Sequence, residues 1–426
     1  MPSEVHELLS KIVFRVAIFS IVFLLQWLVY MSVRRWYLTY HADRRWIIRT
    51  VTALFLVFNI SFIVVLIVRP HALDFPVWFR IAGVYPFMIW YTTTFLLGLV
   101  LLIASIVKLP FRLTLFLAQR IQIIRSGWAR LTGSRGFQRF DDGRRQFLRR
   151  TMEGTTAMVL GGSAYGVLIG RYHYEIDSKE IVLPRLDPSL DGLSITLISD
   201  IHSSVFMTRT EMDHYVELVN GMDGDIIVVP GDFVNGITEE VYPFAESFKN
   251  LKARHGVFGV TGNHDYYASD PARVINEVEN CGIRLLHDEH AAVDVGGARL
   301  TFVGVDDVST AKRAYDRIAK AKGTQTDGAL ILLCHRPYFL PQASAHGIDL
   351  MLSGHTHGGQ IVLASIGNFS ITPAALASPY VWGEYSYGTT KMYVSRGIGT
   401  VGIPVRFNCP PELTRIILRS GPRSHA

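Results

Sequence analysis

Three long apolar runs before residue 110 constrain this chain most, because each run is long enough to cross a membrane. They extend over about residues 12–33, 47–68 and 81–107. A hydrocarbon layer of roughly 30 Å is crossed by about 20 helical residues. Trp and Tyr lie at or near the ends of the runs, as interfacial aromatic residues tend to do. The runs therefore predict three transmembrane helices within residues 1–110.

A fourth apolar run, over residues 155–170, is shorter and rich in Gly and Ala. The sequence RRQFLR at 144–149 stands just before it and resembles the twin-arginine export signal. Such signals usually lie at the N-terminus, so the motif is either an export address or the ordinary basic flank of a span. Both interpretations predict a fourth span at 154–170 after a basic linker at 111–153, although so short a run could instead form a re-entrant or surface helix.

The distribution of charge predicts the orientation in the membrane. Arg is concentrated at 34–45 and again at 108–150, where eleven Lys or Arg residues occur. The positive-inside rule places both segments in the cytoplasm of a multi-pass inner-membrane protein, with residues from 171 onward outside. The net charge of +6 sits beside apolar stretches, so it indicates topology and not a nucleic-acid partner.

The three cysteines, Cys281, Cys334 and Cys409, are odd in number and show no CxxC spacing. This pattern predicts neither a disulfide framework nor a zinc–thiolate site. Buried free thiols are the expectation.

Short apolar runs separated by polar turns replace the long runs after residue 171. Helical patterns at 209–220 and 271–281 stand between some of them. Alternating strands and helices predict an α/β domain over residues 171–426. The predicted strands are 194–199, 225–229, 257–260, 299–303, 329–333, 349–352, 392–395 and 414–418.

Polar side chains follow five of these strands directly, where ligands bind in α/β sheets. A glycine before several of them allows a sharp turn and a close backbone approach. Asp200 and His202 alternate on one face of the chain, so we expect both to reach one ion. His355 and His357 share a face of the chain in the same way. The five clusters are Asp200 with His202, then Asp232, then Asn263-His264-Asp265, then His335, and finally His355 with His357.

Imidazole and carboxylate ligands suit Mn, Fe or Zn, whereas thiolates would favour softer metals. Two divalent ions roughly 3.5–4 Å apart can clamp a phosphoryl group and bind the attacking hydroxide. A lone Asp-x-His or His-x-His is usually accidental. Five such clusters in order at strand ends predict a two-metal site, for which Mn is favoured.

The pattern DxH…GD…GNHD…H…GHxH resembles the calcineurin-like metallophosphoesterase superfamily. The longer strings GHTHGGQ at 354–360, SRGIGT at 395–400 and PPE at 410–412 are similar to its membrane-associated bacterial branch. The resemblance covers roughly residues 190–420. It is highly specific for the superfamily and poorly specific for the substrate.

The resemblance implies a four-layer αββα sandwich behind the transmembrane helices. It also implies that Asp200, His202 and His357 hold one metal, that Asn263, His335 and His355 hold the other, and that Asp232 bridges them. His264 would donate a proton to the leaving oxygen or face the phosphate as a cation. Asp265 would orient His264 or cap a helix. Many relatives carry an acidic residue where Asn235 stands.

The predicted function is hydrolysis of phosphate mono- or diesters by a metal-bound hydroxide. A membrane tether suggests a lipid-linked or envelope phosphate, but it also suits a soluble substrate. The alternative is a membrane sensor or scaffold with a vestigial esterase site, which the filled ligand positions oppose. Asp306, Asp307 and Arg396 are candidates for lining the pocket, with turn and salt-bridge roles as the favoured alternative.

Overall fold

A computed structural model describes residues 2–40, 45–68, 76–133, 135–325, 327–366 and 369–421. The chain divides into two compact units. One comprises residues 1–67 and 80–165, and the other comprises residues 68–79 and 166–426.

The first unit is helical. Its helices are α1 (Pro2–Tyr40), α2 (Arg45–Val68), α4 (Tyr85–Ala118), α5 (Gln122–Gly133) and α6 (Arg135–Tyr165), and a short α3 (Val77–Phe79) precedes α4 in the chain. The first two long apolar runs lie within α1 and α2, and the third begins in the π-helical turn Arg80–Val84 and continues in α4. In the described part of the chain, one helical stretch, Val77–Ala118, is long and apolar enough to cross a membrane.

Helix α4 does not end with its apolar run at Lys108. It continues through Pro110 to Ala118, so the predicted linker at 111–153 begins inside a helix and is helical over most of its length. A charged residue ends an apolar run without disfavouring helix, because Lys and Arg have good helix propensity. Close packing holds α4 on α1, since a side chain at Gly98 would come within 2.7 Å of Leu25.

Two six-stranded sheets and one hairpin form the second unit. The first sheet has the order β1-β14-β2-β3-β4-β5, the second has the order β12-β13-β9-β8-β7-β6, and β10 pairs with β11. The strands are β1 (Glu175–Leu183), β2 (Ser194–Leu197), β3 (Ile226–Val229), β4 (Val257–Gly259), β5 (Arg284–Leu285), β6 (Glu289–Val295), β7 (Ala298–Val305), β8 (Leu330–Cys334), β9 (Leu350–Ser353), β10 (Ala364–Ile366), β11 (Phe369–Ile371), β12 (Gly383–Tyr387), β13 (Thr390–Val394) and β14 (Glu412–Ser420).

Three hydrophobic cores hold this unit together. One lies between the two sheets, where Phe258 of β4 stacks on Phe302 of β7 with ring centroids 5.2 Å apart. A second packs the first sheet against α7 (Arg209–Gly221), α8 (Val241–Phe248) and α9 (Pro271–Asn280). The third packs the second sheet against α10 (Ala311–Lys322) and α11 (Leu340–Ala345).

All eight predicted strands and both predicted helices of this unit occur, with ends shifted by a few residues. Sequence reasoning missed β1, β6 and β12 among others. These three lie at or next to sheet edges and carry charged residues such as Glu175, Glu289 and Glu384. An edge strand has no neighbouring strand along one edge, and solvent reaches it there, so it can keep polar side chains. It therefore lacks the continuous apolar run that identifies a buried central strand.

Candidate metal centre

Parallel pairing brings the carboxyl ends of the central strands together. Strands β2, β3 and β4 run parallel in the first sheet, and β8 and β9 run parallel in the second. Hydrogen bonds from the Asp200 amide to the Gly231 carbonyl and from the Gly354 amide to the His335 carbonyl tie neighbouring loops together. The predicted ligands follow these strands: Asp200 and His202 after β2, Asp232 after β3, Asn263 after β4, His335 after β8, and His355 and His357 after β9.

The backbone at these ligands is left-handed, which corrects the expectation of extended alternation at Asp200–His202 and His355–His357. Asp200 and His202 have φ of 52° and 48°, and His355 and His357 have φ of 75° and 52°. Of nine non-glycine residues with positive φ in the described part of the chain, five are predicted ligands, Asp232 being the fifth. Such strain costs about 1–3 kcal/mol per residue and concentrates at functional sites.

The first cluster consists of Asp200, His202, Asp232 and His357. All four side chains are buried, and their ligand atoms lie within 4.8 Å of one another. His202 Nε2 is 2.9 Å from His357 Nε2 and 3.4 Å from Asp232 Oδ2. His357 Nε2 is 3.5 Å from Asp200 Oδ1. Donor atoms from three separate loops therefore surround one point.

The second cluster consists of Asp232, His335 and His355 and shares Asp232 with the first. Asp232 Oδ2 lies 3.2 Å from His335 Nε2, which lies 3.2 Å from His355 Nδ1. Asn263, the remaining predicted ligand of this metal, is buried. The backbone amide of the next residue, His264, donates to Asp232 Oδ1 at 2.9 Å. Asp232 is thus the residue that the two clusters have in common.

Two glycines permit the close approach of the loops. A Cβ at Gly262 would lie 2.2 Å from Asp232 Oδ1, and a Cβ at Gly354 would lie 2.1 Å from Asp200 Oδ2. No side chain fits at these distances. The glycines before Asn263 and His355 are therefore needed for packing against the carboxylates of the first cluster.

The residues present fit two divalent ions. Two imidazole nitrogens at 2.9 Å, as in His202 and His357, repel each other unless a proton or cation lies between them. His335 Nδ1 donates to the Pro230 carbonyl at 2.8 Å, so Nε2 is the ring atom that faces the cluster, 3.2 Å from Asp232 Oδ2. Asn263 Oδ1 is buried without a hydrogen-bond partner among the described residues. A buried oxygen of this kind calls for a ligand.

Burial and mutual charge set the protonation of these groups. Burial raises the pKa of Asp200 to about 6, whereas it lowers the pKa of His202 to about 3 and that of His355 to about 2. Burial alone would also lower the pKa of His335, but the neighbouring charge of Asp232 raises it to about 10. His202 and His355 are therefore neutral, and the carboxylate of Asp232 beside them attracts positive charge. This combination is the electrostatic environment of a cation site.

His264, the predicted proton donor, lies half-buried beside the first cluster, with its ring centroid 4.6 Å from that of His202. Its Nδ1 is 3.1 Å from the Asn235 carbonyl and donates to it. The buried carboxylate of Glu240 holds this loop by accepting from the Asn235 and Ile237 amides. Asn235 contacts His264 through its backbone carbonyl. The Asn side chain, which stands where many relatives carry an acidic residue, therefore does not alter this contact.

Asp265 neither orients the His264 ring nor caps a helix with its side chain. Its buried carboxylate accepts from the backbone amides of Asp232, Phe233, Val234 and Gly262. It thereby joins the loops after β3 and β4. Burial, with the charge of Asp232, raises its pKa to about 7.

The three candidate pocket residues, Asp306, Asp307 and Arg396, form hydrogen bonds or ion pairs with neighbouring side chains. Asp307 accepts two bonds from Arg336, at 2.6 and 2.9 Å. Asp306 bonds with Thr261 and His287. Arg396 pairs with Glu175 and Glu412. These contacts correspond to the salt-bridge alternative.

Sequence reasoning missed Arg406, which is fully buried. Within the described residues no carboxylate pairs with it; its guanidinium donates instead to backbone carbonyls, including those of Gly397, Gly399 and Cys409. The Gly399 amide donates to the Asp200 carbonyl at 2.8 Å. A buried cation without a counter-ion is costly, so the carbonyl network must hold it in place. The only sequence signal was its position between SRGIGT and PPE.

We expect Arg406→Met to weaken one metal site selectively, by roughly 10–100-fold in affinity, the usual effect of losing an outer contact. The Arg406 network reaches Asp200 through Gly399 and the His357 loop through Cys409, whose thiol contacts the His357 carbonyl. Both ligands belong to the first cluster. Metal equivalents by elemental analysis and titration check this.

The surface variant Arg419→Met is the matched control, and Arg406→Lys tests a milder change. Lys keeps the charge but cannot span the carbonyls as the planar fork does, so it should restore binding only in part. Equal weakening of both metals in a folded protein would contradict the selective role.

The fold and the two joined clusters define a class, the α/β domains that hold a dinuclear metal site at the ends of their strands. Residues 193–359 match the model of the calcineurin-like phosphoesterase family. An uncharacterized metallophosphoesterase of Helicobacter pylori is 34% identical over 290 residues, which cover 66% of this chain and 74% of that protein. The chain belongs to the calcineurin-like phosphoesterase family.

Two further relatives differ in how much of their length is matched. A "Transmembrane protein with metallophosphoesterase domain" of Bos taurus is 32% identical over 274 residues, 61% of this chain and 60% of that protein. The uncharacterized metallophosphoesterase YkuE of Bacillus subtilis is 28% identical over 285 residues, 65% of this chain and 98% of that protein. The chain thus spans about 60% of the length of the Bos taurus relative.

Proposed function

We propose that this chain hydrolyses phosphate mono- or diesters with a dinuclear metal centre. The observation that carries the proposal is the sharing of Asp232 between two buried clusters. When bound, two divalent ions would clamp the phosphoryl group and activate the attacking water. Membership of the family supports this chemistry, and the four-layer αββα arrangement is the fold we propose around it.

Each residue has a proposed task. Asp200, His202 and His357 would hold one ion, Asn263, His335 and His355 would hold the other, and Asp232 would serve both. As the acid, the His264 imidazolium would keep its Nδ1–H hydrogen-bonded to the Asn235 carbonyl and would give its Nε2 proton to the leaving oxygen. Mn, Fe and Zn all suit this donor set, with Mn favoured.

Chelation is expected to abolish hydrolysis of an aryl phosphate, and added Mn²⁺ to restore it. The reason is that oxygen and nitrogen ligands bind metal reversibly and lose it by mass action to a chelator. Hydrolysis is measured before chelation, after it and after restoration. Adding Mg²⁺ in place of Mn²⁺ is the comparison, because Mg²⁺ prefers oxygen ligands to imidazole.

Full activity in exhaustively demetallated protein would overturn the proposed mechanism. The alternative of a sensor with a vestigial site predicts metal binding without turnover of any phosphoester. A panel of an aryl monoester, an aryl diester, nucleotide diphosphates and phospholipids separates the two functions and orders the substrates.

We also propose that the chain is a multi-pass protein of the inner membrane. One described helical stretch is apolar enough to cross a membrane, and relatives are named transmembrane proteins. The proposed division is three spans within 1–110, a basic linker at 111–153, a fourth span at 154–170 and the esterase domain at 171–426. The apolar runs and the Arg-rich segments support it.

A reporter fused after residue 426 tests the orientation. We expect an alkaline phosphatase fusion to be active and a fluorescent-protein fusion to be dark, because the fourth span would carry the domain out of the cytoplasm. The opposite pair of results would place the domain inside and favour nucleotides over envelope lipids as substrates. A fusion after residue 150 is the matched cytoplasmic control.

A further inference from the structure

The segment that follows the last predicted ligand contains no charged side chain. From Gly358 to Gly383 the sequence is GGQIVLASIGNFSITPAALASPYVWG, without Asp, Glu, Lys, Arg or His. Charged residues make up 18% of the whole chain, so 26 successive residues without one is a marked local departure. A surface segment of a water-soluble domain ordinarily carries charge.

Much of this segment is on the surface. Four large aliphatic side chains stand out, with exposed fractions of 70% for Leu363, 82% for Ile366, 52% for Ile371 and 94% for Leu376. We call these four residues the apolar ridge. They lie on or beside the β10–β11 hairpin. Single exposed apolar residues are common, but four within fourteen successive residues concentrate exposed apolar surface in one short segment, as contact surfaces do.

Hydrogen bonds fix the base of the ridge to the metal centre. The Thr372 hydroxyl donates to the Gly359 carbonyl at 3.2 Å, and Gly359 is two residues from His357. The Val362 amide donates to the Phe407 carbonyl at 3.0 Å, and the Phe407 amide donates to the Gln360 carbonyl at 2.8 Å. These bonds tie the base of the ridge to the loop that carries His357 of the first cluster.

The absence of charge distinguishes between partners. A protein partner is met by a polar rim around an apolar centre. A nucleic acid is met by Lys and Arg side chains that neutralise its phosphates. The hydrocarbon edge of a bilayer rejects charge and accepts aliphatic side chains without a polar partner. The same unit offers more exposed apolar residues where it follows α6, at Leu168 and Ile169, with 46% and 54% exposed. Gly166, in the same short stretch, lies against Val405 and Arg406, next to Phe407.

We propose that the apolar ridge contacts the lipid surface of the membrane and holds the metal centre beside phosphate groups carried by lipids. This rests on the proposed hydrolase function and narrows its substrate to a phosphoester presented at a bilayer. The phosphate stays in the polar interface, where the clusters can reach it, while the ridge lies among the adjoining acyl chains.

Substitution of the ridge tests the proposal in the full chain reconstituted into phospholipid vesicles. The variant carries Leu363→Ser, Ile366→Ser, Ile371→Ser and Leu376→Ser. We expect hydrolysis of a phosphate-headed lipid in the vesicles to fall about tenfold or more, with hydrolysis of a soluble aryl phosphate unchanged. The matched control carries Ile176→Ser and Val182→Ser, two exposed aliphatic residues of β1.

The outcomes are distinguishable. Equal loss on both substrates, or no loss on the lipid, overturns the ridge proposal and leaves the hydrolase function standing. A wild-type protein that hydrolyses no phosphoester overturns the hydrolase function instead.

A second measurement does not depend on activity. A fluorophore is attached at Leu376→Cys in a Cys281→Ser background, where Cys334 and Cys409 stay buried. We expect quenching by brominated lipids and protection from iodide, with the reverse for a label at Ile176→Cys. Quenching of the Leu376 label by iodide alone overturns the proposal. Label-to-label contact between chains overturns it in favour of a second copy of this protein.

Discussion

Asp232→Ala is expected to remove both metals and to lower activity more than any single histidine substitution. Asp232 Oδ2 lies 3.4 Å from His202 Nε2 and 3.2 Å from His335 Nε2, and among the residues that the structure describes Asp232 alone belongs to both clusters. Metal ions stabilise the transition state by several kcal/mol, and each tenfold in rate corresponds to about 1.4 kcal/mol. Loss of both metals should therefore lower the rate by at least about 10³-fold. The measurements are metal equivalents and kcat/KM for an aryl phosphate.

Single-cluster variants provide the comparison. His202→Ala should affect mainly the first metal, and His355→Ala mainly the second. Asp232→Asn keeps the shape of the side chain without its charge, so it separates loss of the ligand from loss of packing. If Asp232→Ala retained both metals, its assignment as the bridge would be wrong.

His264→Ala is expected to keep both metals and to lose about 10²–10⁴-fold in rate, the usual contribution of a general acid. The ring lies beside His202 and is oriented by the Asn235 carbonyl, but it belongs to neither cluster. The loss should be small for aryl esters with acidic leaving groups, since these depart without a proton. It should be large for alkyl esters. Rates across a series of leaving groups check this.

The exposed residue His214 on α7 supplies the control, since His214→Ala removes an imidazole that belongs to neither cluster. An equal loss for aryl and alkyl leaving groups would assign His264 to electrostatic help or positioning of the phosphate. Loss of metal in His264→Ala would make it part of the metal-binding set.

The strands that carry the predicted ligands were predictable because they are buried on both faces. Apolar runs such as 226–229 and 330–334 have every residue buried, and a polar residue directly after such a run stands out. Edge strands such as β1 mix charged and apolar residues and give no such contrast. The number of membrane spans remains a prediction.

The local geometry of the ligands was not predictable from alternation. His202 and His357 meet at 2.9 Å because their loops adopt positive φ, not because the chain is extended. Left-handed backbone at a non-glycine residue is disfavoured locally and persists only where surrounding structure enforces it. Here the enforcement comes from contacts such as that of the Gly399 amide with the Asp200 carbonyl, from a distant part of the chain.

The sequence by itself determined the family, the order of the strands that carry ligands and the residue types at their ends, because these features are local and periodic. Only the tertiary structure decided that both clusters share Asp232, that Asp265 joins two loops and that Arg406 holds a third loop through backbone carbonyls. Those roles arise between residues up to about two hundred positions apart. They depend on which loops the packed sheets bring to one edge. The pattern of residue types along the chain does not show which distant loops will meet there.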